Sequence, residues 1–256
     1  MPQPISAVLF WKTGTPWSSI LAEINAVPDL GGILLLMPAG TFELDVSADV
    51  DRVQFVAMTE SPTAFGGVAT ILNISVPLLG KVLCLTNVVA FATDTIWDGA
   101  GVFRLNLMGS AELSRDLSST VPTIKLAAGG VLDASLSQYS LFAGGNDPMV
   151  EMDDGSTINF LLTAGSIIGD KAASLKSGAT AAAATAGLDS TCVVAGVNGA
   201  FGNAFDTGIT FDTSKNGNAF FGPYAPTTSS DWNSPVPDNI GAALDQVASR
   251  LRAGSL

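Results

Sequence analysis

The sequence predicts an all-β fold, a solenoid of stacked coils, on three observations. Short apolar strands recur between turn residues over most of the chain. Between residues 46 and 170 no convincing amphipathic helix of ten or more residues separates them, which a βαβ architecture would need. An unbroken apolar run, Ile33-Leu34-Leu35-Leu36-Met37, lies between Gly31-Gly32 and Pro38, the pattern of a strand buried on both faces. A sandwich of antiparallel hairpins stays open, because alternation with period two is the same for parallel and antiparallel pairs.

Taken in order, residues 1–16 (MPQPISAVLFWKTGTP) are punctuated by Pro and Gly around an apolar centre, Ile5 to Trp11. They read either as an arm whose Phe10 and Trp11 anchor on a neighbour, or as a strand covering the end of the solenoid. Ile20, Ala22, Ile24 and Val27 belong to a short helix that Ser18 or Ser19 can cap, and Gly31-Gly32 breaks it. After the buried run, Thr41-Phe42-Glu43-Leu44 alternates like a half-exposed strand.

This order of parts resembles the opening of right-handed parallel β-helix proteins of the pectin-lyase-like type. There, a short helix plugs the open end of the coil, and the first rung follows as Gly-Gly, an apolar run, Pro-x-Gly-Thr and an aromatic residue. The matching residues are Gly31, Gly32, Ile33 to Met37, Pro38, Gly40, Thr41 and Phe42. The resemblance implies a right-handed parallel β-helix with a short N-terminal capping helix. It does not fix a function, since one fold hosts many.

Further strands are expected at 53–58, 68–75, 81–93, 102–109, 123–136, 149–162, 166–169, 190–197 and 208–213, with Gly, Asn, Asp and Ser at the corners between them. The first of these start at intervals of roughly 13 to 26 residues, as coils of several strands require. The stretch Lys171 to Gly187 (KAASLKSGATAAAATAG) is small and Ala-rich; Gly178 and two Thr weaken it as a helix. It reads as a loop, with a close subunit contact as the alternative. Residues 198–231 concentrate Phe201, Phe205, Phe211, Phe220, Phe221 and Tyr224 among glycines. They form an extended arm anchored by its rings, or they seal the last coil.

After the Pro-stiffened WNSPVP, Asp238 or Asn239 caps a C-terminal helix with Ile240, Ala243, Leu244, Val247 and Leu251 on one face. Arg250 and Arg252 near its end favour the helix dipole, and Gly254 stops it. The pattern of Trp232, Pro235, Pro237, Ile240, Ala243, Leu244, Asp245 and Ala248 resembles the C-terminal ends of many tailed-bacteriophage virion proteins. The expected organisation is therefore a 1–16 N-terminal arm, a 17–213 β-helix domain, and a 214–256 extended C-terminal arm ending in a helix.

Composition narrows the function. Charged residues are 13% of the chain, roughly half the usual share, which points to surface hidden against copies or partners, or to an outside covered by Ser, Thr and Asn. The net charge of −12, with no basic patch, disfavours nucleic acid and anionic membranes. No apolar run reaches bilayer length, and the first residues lack the basic start and long apolar stretch of a secretion signal. The chain has no histidine, which removes the commonest general base and zinc ligand. Cys84 and Cys192, each among apolar residues, read as buried free thiols.

The pectin-lyase-like resemblance raises sugar cleavage, which in that family uses clustered carboxylates. Glu151 and Asp153 lie on one side of a strand and form the one candidate pair, or a Ca²⁺ ligand set; Asp153-Asp154-Gly155-Ser156 is equally an ordinary turn. Arg52, Lys81, Arg104, Arg115 and Lys125 show no pairing with acidic clusters in the sequence. The expectation is a structural virion protein without enzymatic activity, cofactor or metal, located in the virion. It would be a cement or decoration protein, a homo-oligomer (a trimer) contacting other virion proteins such as the major capsid protein. Its interface candidates are Phe10, Trp11, Phe220, Phe221, Tyr224, Trp232, Ile240, Leu244, Val247 and Leu251. The alternatives are a tail spike or fibre binding or cleaving host polysaccharide, and a bacterial surface adhesin or S-layer-type module.

Overall fold

The computed structural model describes residues 5–28, 31–58, 69–116, 118–144, 147–169, 171–188, 192–194, 204–206 and 208–212. The predicted C-terminal helix lies outside these residues, as do Phe201, Phe220, Phe221, Tyr224, Trp232, Ile240, Leu244, Val247 and Leu251.

The chain winds into a parallel β-solenoid. Its long sheet has nine strands, stacked one rung on the next: Ile5–Phe10, Gly32–Met37, Val53–Ala57, Val82–Thr86, Val102–Met108, Val131–Leu136, Thr157–Leu162, Ala182–Leu188 and Ile209–Asp212. A second sheet of seven strands runs from Gly40–Leu44 to Val193–Val194. A third, of four, starts at Trp97–Gly99 and continues through Ile124–Leu126, Val150–Met152 and Ala173–Leu175. Strand pairs within the three sheets are parallel, for example Leu132 on Ile158 and Ile158 on Ala184. That excludes the hairpin sandwich. The long expected strands at 81–93, 123–136 and 149–162 each split in two at a corner, because one coil turns from sheet to sheet within them.

Each strand alternates, with one set of side chains inside the coil. Leu35, Phe55, Leu85, Leu105, Leu132 and Ile158 are fully buried there. In Gly32–Met37 the pattern is one-sided: Ile33, Leu35 and Met37 are buried, whereas Leu34 and Leu36 are half-buried. The expectation of burial on both faces is corrected, because a solenoid wall has only one inner face.

The start of the rod is closed by rings and a helix. Helix α1 (Trp17–Ala26) turns Trp17, Ile20 and Ile24 inward, while Ala22 is exposed. Trp11 packs 5.1 Å from Trp17 and 5.1 Å from Phe42, and Trp17 lies 6.1 Å from Phe55. Both indole N–H groups are satisfied: Trp11 donates to Thr15 O and Trp17 to Val46 O. The expected Ser18 or Ser19 cap is not made; Pro16 occupies the N-cap with no side-chain bond, and its fixed φ suits the helix start. The other end of α1 is capped from the next rung. Arg52 Nη2 donates to Ile24 O and Val27 O, and Nη1 to Pro28 O, placing a cation where the helix dipole is negative.

Ala182–Leu188, expected as a loop, is a strand paired to Thr157–Leu162 on one side and to Ile209–Asp212 on the other. Ala182, Ala184 and Ala186 point inward and are buried. Ala186 pairs with Phe160, and Ala184 with Phe211. Phe205 stacks 4.4 Å from Phe211 and meets Phe160 edge-on at 6.3 Å. Phenylalanine rings fill the core here, so Ala182, Ala184 and Ala186 supply only methyl groups. Phe205 and Phe211 therefore seal the upper coils, which is the second of the two readings of that region.

Corner side chains lock one coil to the next. Asp51 Oδ1 accepts the backbone N–H of Lys81 and, at 2.7 Å, of Val82. Asn87 Oδ1 accepts Ser110 N–H at 2.9 Å, and Asp154 Oδ1 accepts Thr180 N–H at 2.6 Å and Ala181 N–H at 3.1 Å. Two glycines are explained by these locks: a Cβ on Gly80 would sit 2.1 Å from Asp51 Oδ1, and one on Gly109 1.9 Å from Asn87 Oδ1.

The lock at Asp154 carries a pH dependence. The N–H groups of Thr180 and Ala181, with the Thr180 hydroxyl, hold the Asp154 carboxyl below its usual range. A carboxyl with a lowered folded-state pKa contributes stability that is complete above its unfolded value and is lost as pH falls through the folded one. Asp154→Asn is therefore expected to flatten the stability profile below about pH 4, measured by urea denaturation at pH 6 and pH 3. A variant whose loss between those two pH values equals the parent's would remove Asp154 as the source.

Candidate functional site

The outer face of the long sheet carries polar side chains in ordered positions. Alternation in VFRLNLM, VLDASL and TINFLL sends Arg104, Asn106, Asp133, Ser135 and Asn159 outward. Register then stacks them into two rows. Gln54, Cys84, Asn106 and Ser135 form one; Arg104, Asp133, Asn159 and Thr185 form the other. Asn159 Nδ2 donates to Asp133 Oδ1 at 2.9 Å, and Thr185 Oγ1 to Asn159 Oδ1 at 3.1 Å. Gln54 Nε2 donates to Thr86 Oγ1 at 3.0 Å, and Asn106 Nδ2 to Cys84 Sγ at 3.2 Å.

Two hollows follow these rows. One, of about 500 Å³, is lined by Leu34, Gln54, Val82, Cys84, Asn106 and Met108, among others. The other, of about 280 Å³, is lined by Arg104, Asp133, Asn159 and Leu161, among others. The polar rows present amide and hydroxyl donors and acceptors of the kind that meet a hydroxylated ligand. Cys84 is half-buried on this face, not sunk in the core as expected, while Cys192 is buried; neither is in a disulfide. Burial pushes the Cys84 thiol up, the Asn106 amide lowers it in part, and the charge of Asp51 raises it, so the thiol stays protonated and weakly reactive.

Towards the start of the rod the same face turns apolar. Phe10 pairs with Leu36, and Val8 with Leu34; Leu36 pairs with Val56. Ile5 is 60% exposed, Val8 49% and Phe10 53%. Of the two aromatic anchors expected in this segment, only Phe10 lies at the surface. Trp11 is 1% exposed, and its ring is used by its own chain. Adjacent residues of extended backbone face opposite sides, so Phe10 and Trp11 cannot both reach a neighbour. Ile5–Phe10 is itself a strand of the long sheet.

The carboxylates of the third sheet do not converge on a cleft. Asp98, Lys125, Glu151 and Ser174 stack in register, so a cation sits between two acids. Asp153 lies 2.7 Å from Lys176 Nζ, and that hydrogen bond holds its carboxyl below the usual range. Asp154-Gly155 is a turn, with Gly155 at φ +69°. Among the described residues no group of three or more Cys, Asp or Glu side chains could hold a metal ion. Arg115 is buried at a corner, with Nη1 3.3 Å from Asp147 Oδ2, Nη2 donating to Ser119 O, and Nε without a partner. Burial lowers its pKa. Neither this pair nor the Arg52 cap was readable from the sequence, because each partner lies on another element.

Compared with protein families, curated proteins and solved structures, the chain finds no match in any of the three. The class it belongs to is therefore set by architecture alone: a parallel β-solenoid with one short helix among the described residues.

Proposed function

We propose that this chain is a non-enzymatic structural protein of a tailed-bacteriophage particle, a cement or decoration protein that acts on the capsid as a closed oligomer, a trimer. The observation that carries the assembly role is the exposed apolar strand Ile5–Phe10, which continues onto the half-buried Leu34 and Leu36. An apolar patch of this kind marks a contact surface in a soluble particle. The low charge of the chain agrees with it, and closed symmetry would cover the low-charge walls. The phage assignment rests on the Trp232 to Ala248 pattern, and the major capsid protein is the partner it implies. Particles assembled without this protein test the role: they are expected to lose density on the shell and to burst under osmotic shock. Shells of unchanged density and resistance would end the reading.

The polar rows of the long sheet favour a second reading, a tail spike or fibre component that binds or cleaves host polysaccharide. It predicts binding to host-surface glycans that Asp133→Ala and Asn159→Ala weaken. Release of reducing sugar by the parent chain, abolished by Glu151→Ala or Asp153→Ala, would overturn the non-enzymatic assignment.

A further inference from the structure

Among the described residues the first rung of the rod ends in an open sheet edge, and the chemistry of that edge selects its occupant. We propose that Ile5–Phe10 pairs with the same strand of a second copy of this chain, antiparallel and head to head, about a twofold axis at Val8. This rests on the assembly role proposed above, which uses the same strand, and goes beyond it by naming the occupant and the register.

Three observations converge. Ile5–Phe10 is the terminal strand of the long sheet, and among the described residues it pairs only with Gly32–Met37. Trp11 N–H points to that neighbour, donating to Leu36 O at 2.9 Å; alternation along the strand turns the N–H and C=O of Val8 and Phe10 to the free edge. A row of unpaired backbone groups is met by another strand, not by a helix face. Next, the strand ISAVLF carries neither the charge nor the proline with which edges are usually blunted. Its one register irregularity lies at the start, between Ile5 and Ala7. Finally, the first acidic residue of a chain with net charge −12 is Glu23, and Lys12 is the one ionisable side chain before it. Two copies of an acidic chain repel over most of their surface, and this strand can meet its mate without bringing a carboxylate of its own into the pairing.

The register follows from side-chain parity. Ala7 and Leu9 pack toward the core, while Val8 and Phe10 face out. Pairing Val8 with Val8 sets Ala7 against Leu9 and Ser6 against Phe10 of the second copy, inner with inner and outer with outer. A shift by one residue would oppose inner to outer side chains. Val8 then forms a hydrogen-bonded pair, exchanging N–H and C=O with its symmetry mate, and the Cα atoms stand about 5.5 Å apart, within disulfide range.

Light scattering on the full chain is expected to give an even number of 26.1 kDa chains, six where two of the trimers proposed above meet head to head, and Val8→Lys is expected to halve that mass with unchanged circular dichroism. In a Cys84→Ser background, Val8→Cys should cross-link most chains into disulfide dimers under mild oxidation. Phe10→Lys is the second variant should Val8→Lys alter the spectrum. A monomer, an odd number of chains, an open series of masses (as head-to-tail stacking would give), or a missing Val8→Cys cross-link would each overturn the proposal. The capsid test above is independent of all of these outcomes.

Discussion

Trp17→Ala is expected to lower the stability of the rod by about 3–5 kcal/mol, the range for deleting a large buried aromatic side chain. Trp17 is 1% exposed and touches two rings, Trp11 at 5.1 Å and Phe55 at 6.1 Å. Its indole N–H also fixes Val46 O at 2.9 Å, so the truncation leaves a cavity and an unpaired carbonyl together. The loss should begin at one end. Coils contact mainly their neighbours, so amides of Ile5–Phe10 and Gly32–Met37 are expected to lose hydrogen-exchange protection before those of Val131–Leu136. A cost below about 1 kcal/mol, or uniform loss along the rod, would show that the aromatic cluster does not close the end.

Ala184→Leu is the second large effect, about 1–3 kcal/mol from overpacking. Ala184 is fully buried, and it sits between Ile158 and Phe211 in the ladder. Three added carbons would crowd Ile158 on one side and Phe211 on the other. Ala183, next in sequence and facing out, should accept leucine within about 0.5 kcal/mol. Urea denaturation of the two variants separates a packed strand from a loop: equal, small effects would restore the loop reading of Lys171 to Gly187.

That segment shows where sequence reading ends. Periodicity identified the strands whose inner residues are large, such as Val53–Ala57 and Val102–Met108, because alternation between Phe or Leu and polar residues is visible in one dimension. It failed at Ala182–Leu188, where every residue before Leu188 is small and the volume comes from Phe160, Phe205 and Phe211 on other coils. The Gly-Gly, Pro and Gly-Thr punctuation around Ile33–Met37 located the first full rung and its helix. It did not tell that Leu34 and Leu36 face outward.

The outer polar rows were half legible. Arg104, Asn106, Asp133 and Asn159 stand at outward positions by alternation alone. What joins Asp133 to Asn159 and Asn159 to Thr185 is a spacing of one coil, and coil length varies along this chain, so no fixed repeat announces it. Phe10 and Trp11 looked equivalent in sequence, yet the pleat sends one to solvent and the other into the core.

By itself, the sequence determined the class of fold, the entry helix, the strand-and-corner rhythm and the scarcity of charge, because each depends on residues near one another in the chain. Tertiary structure alone decided which side chains stack from rung to rung, that Arg52 caps a helix 25 residues earlier in the case of Val27, and which face is wall and which is core. Those outcomes are set by register between distant strands, and register is a property of how coils pack.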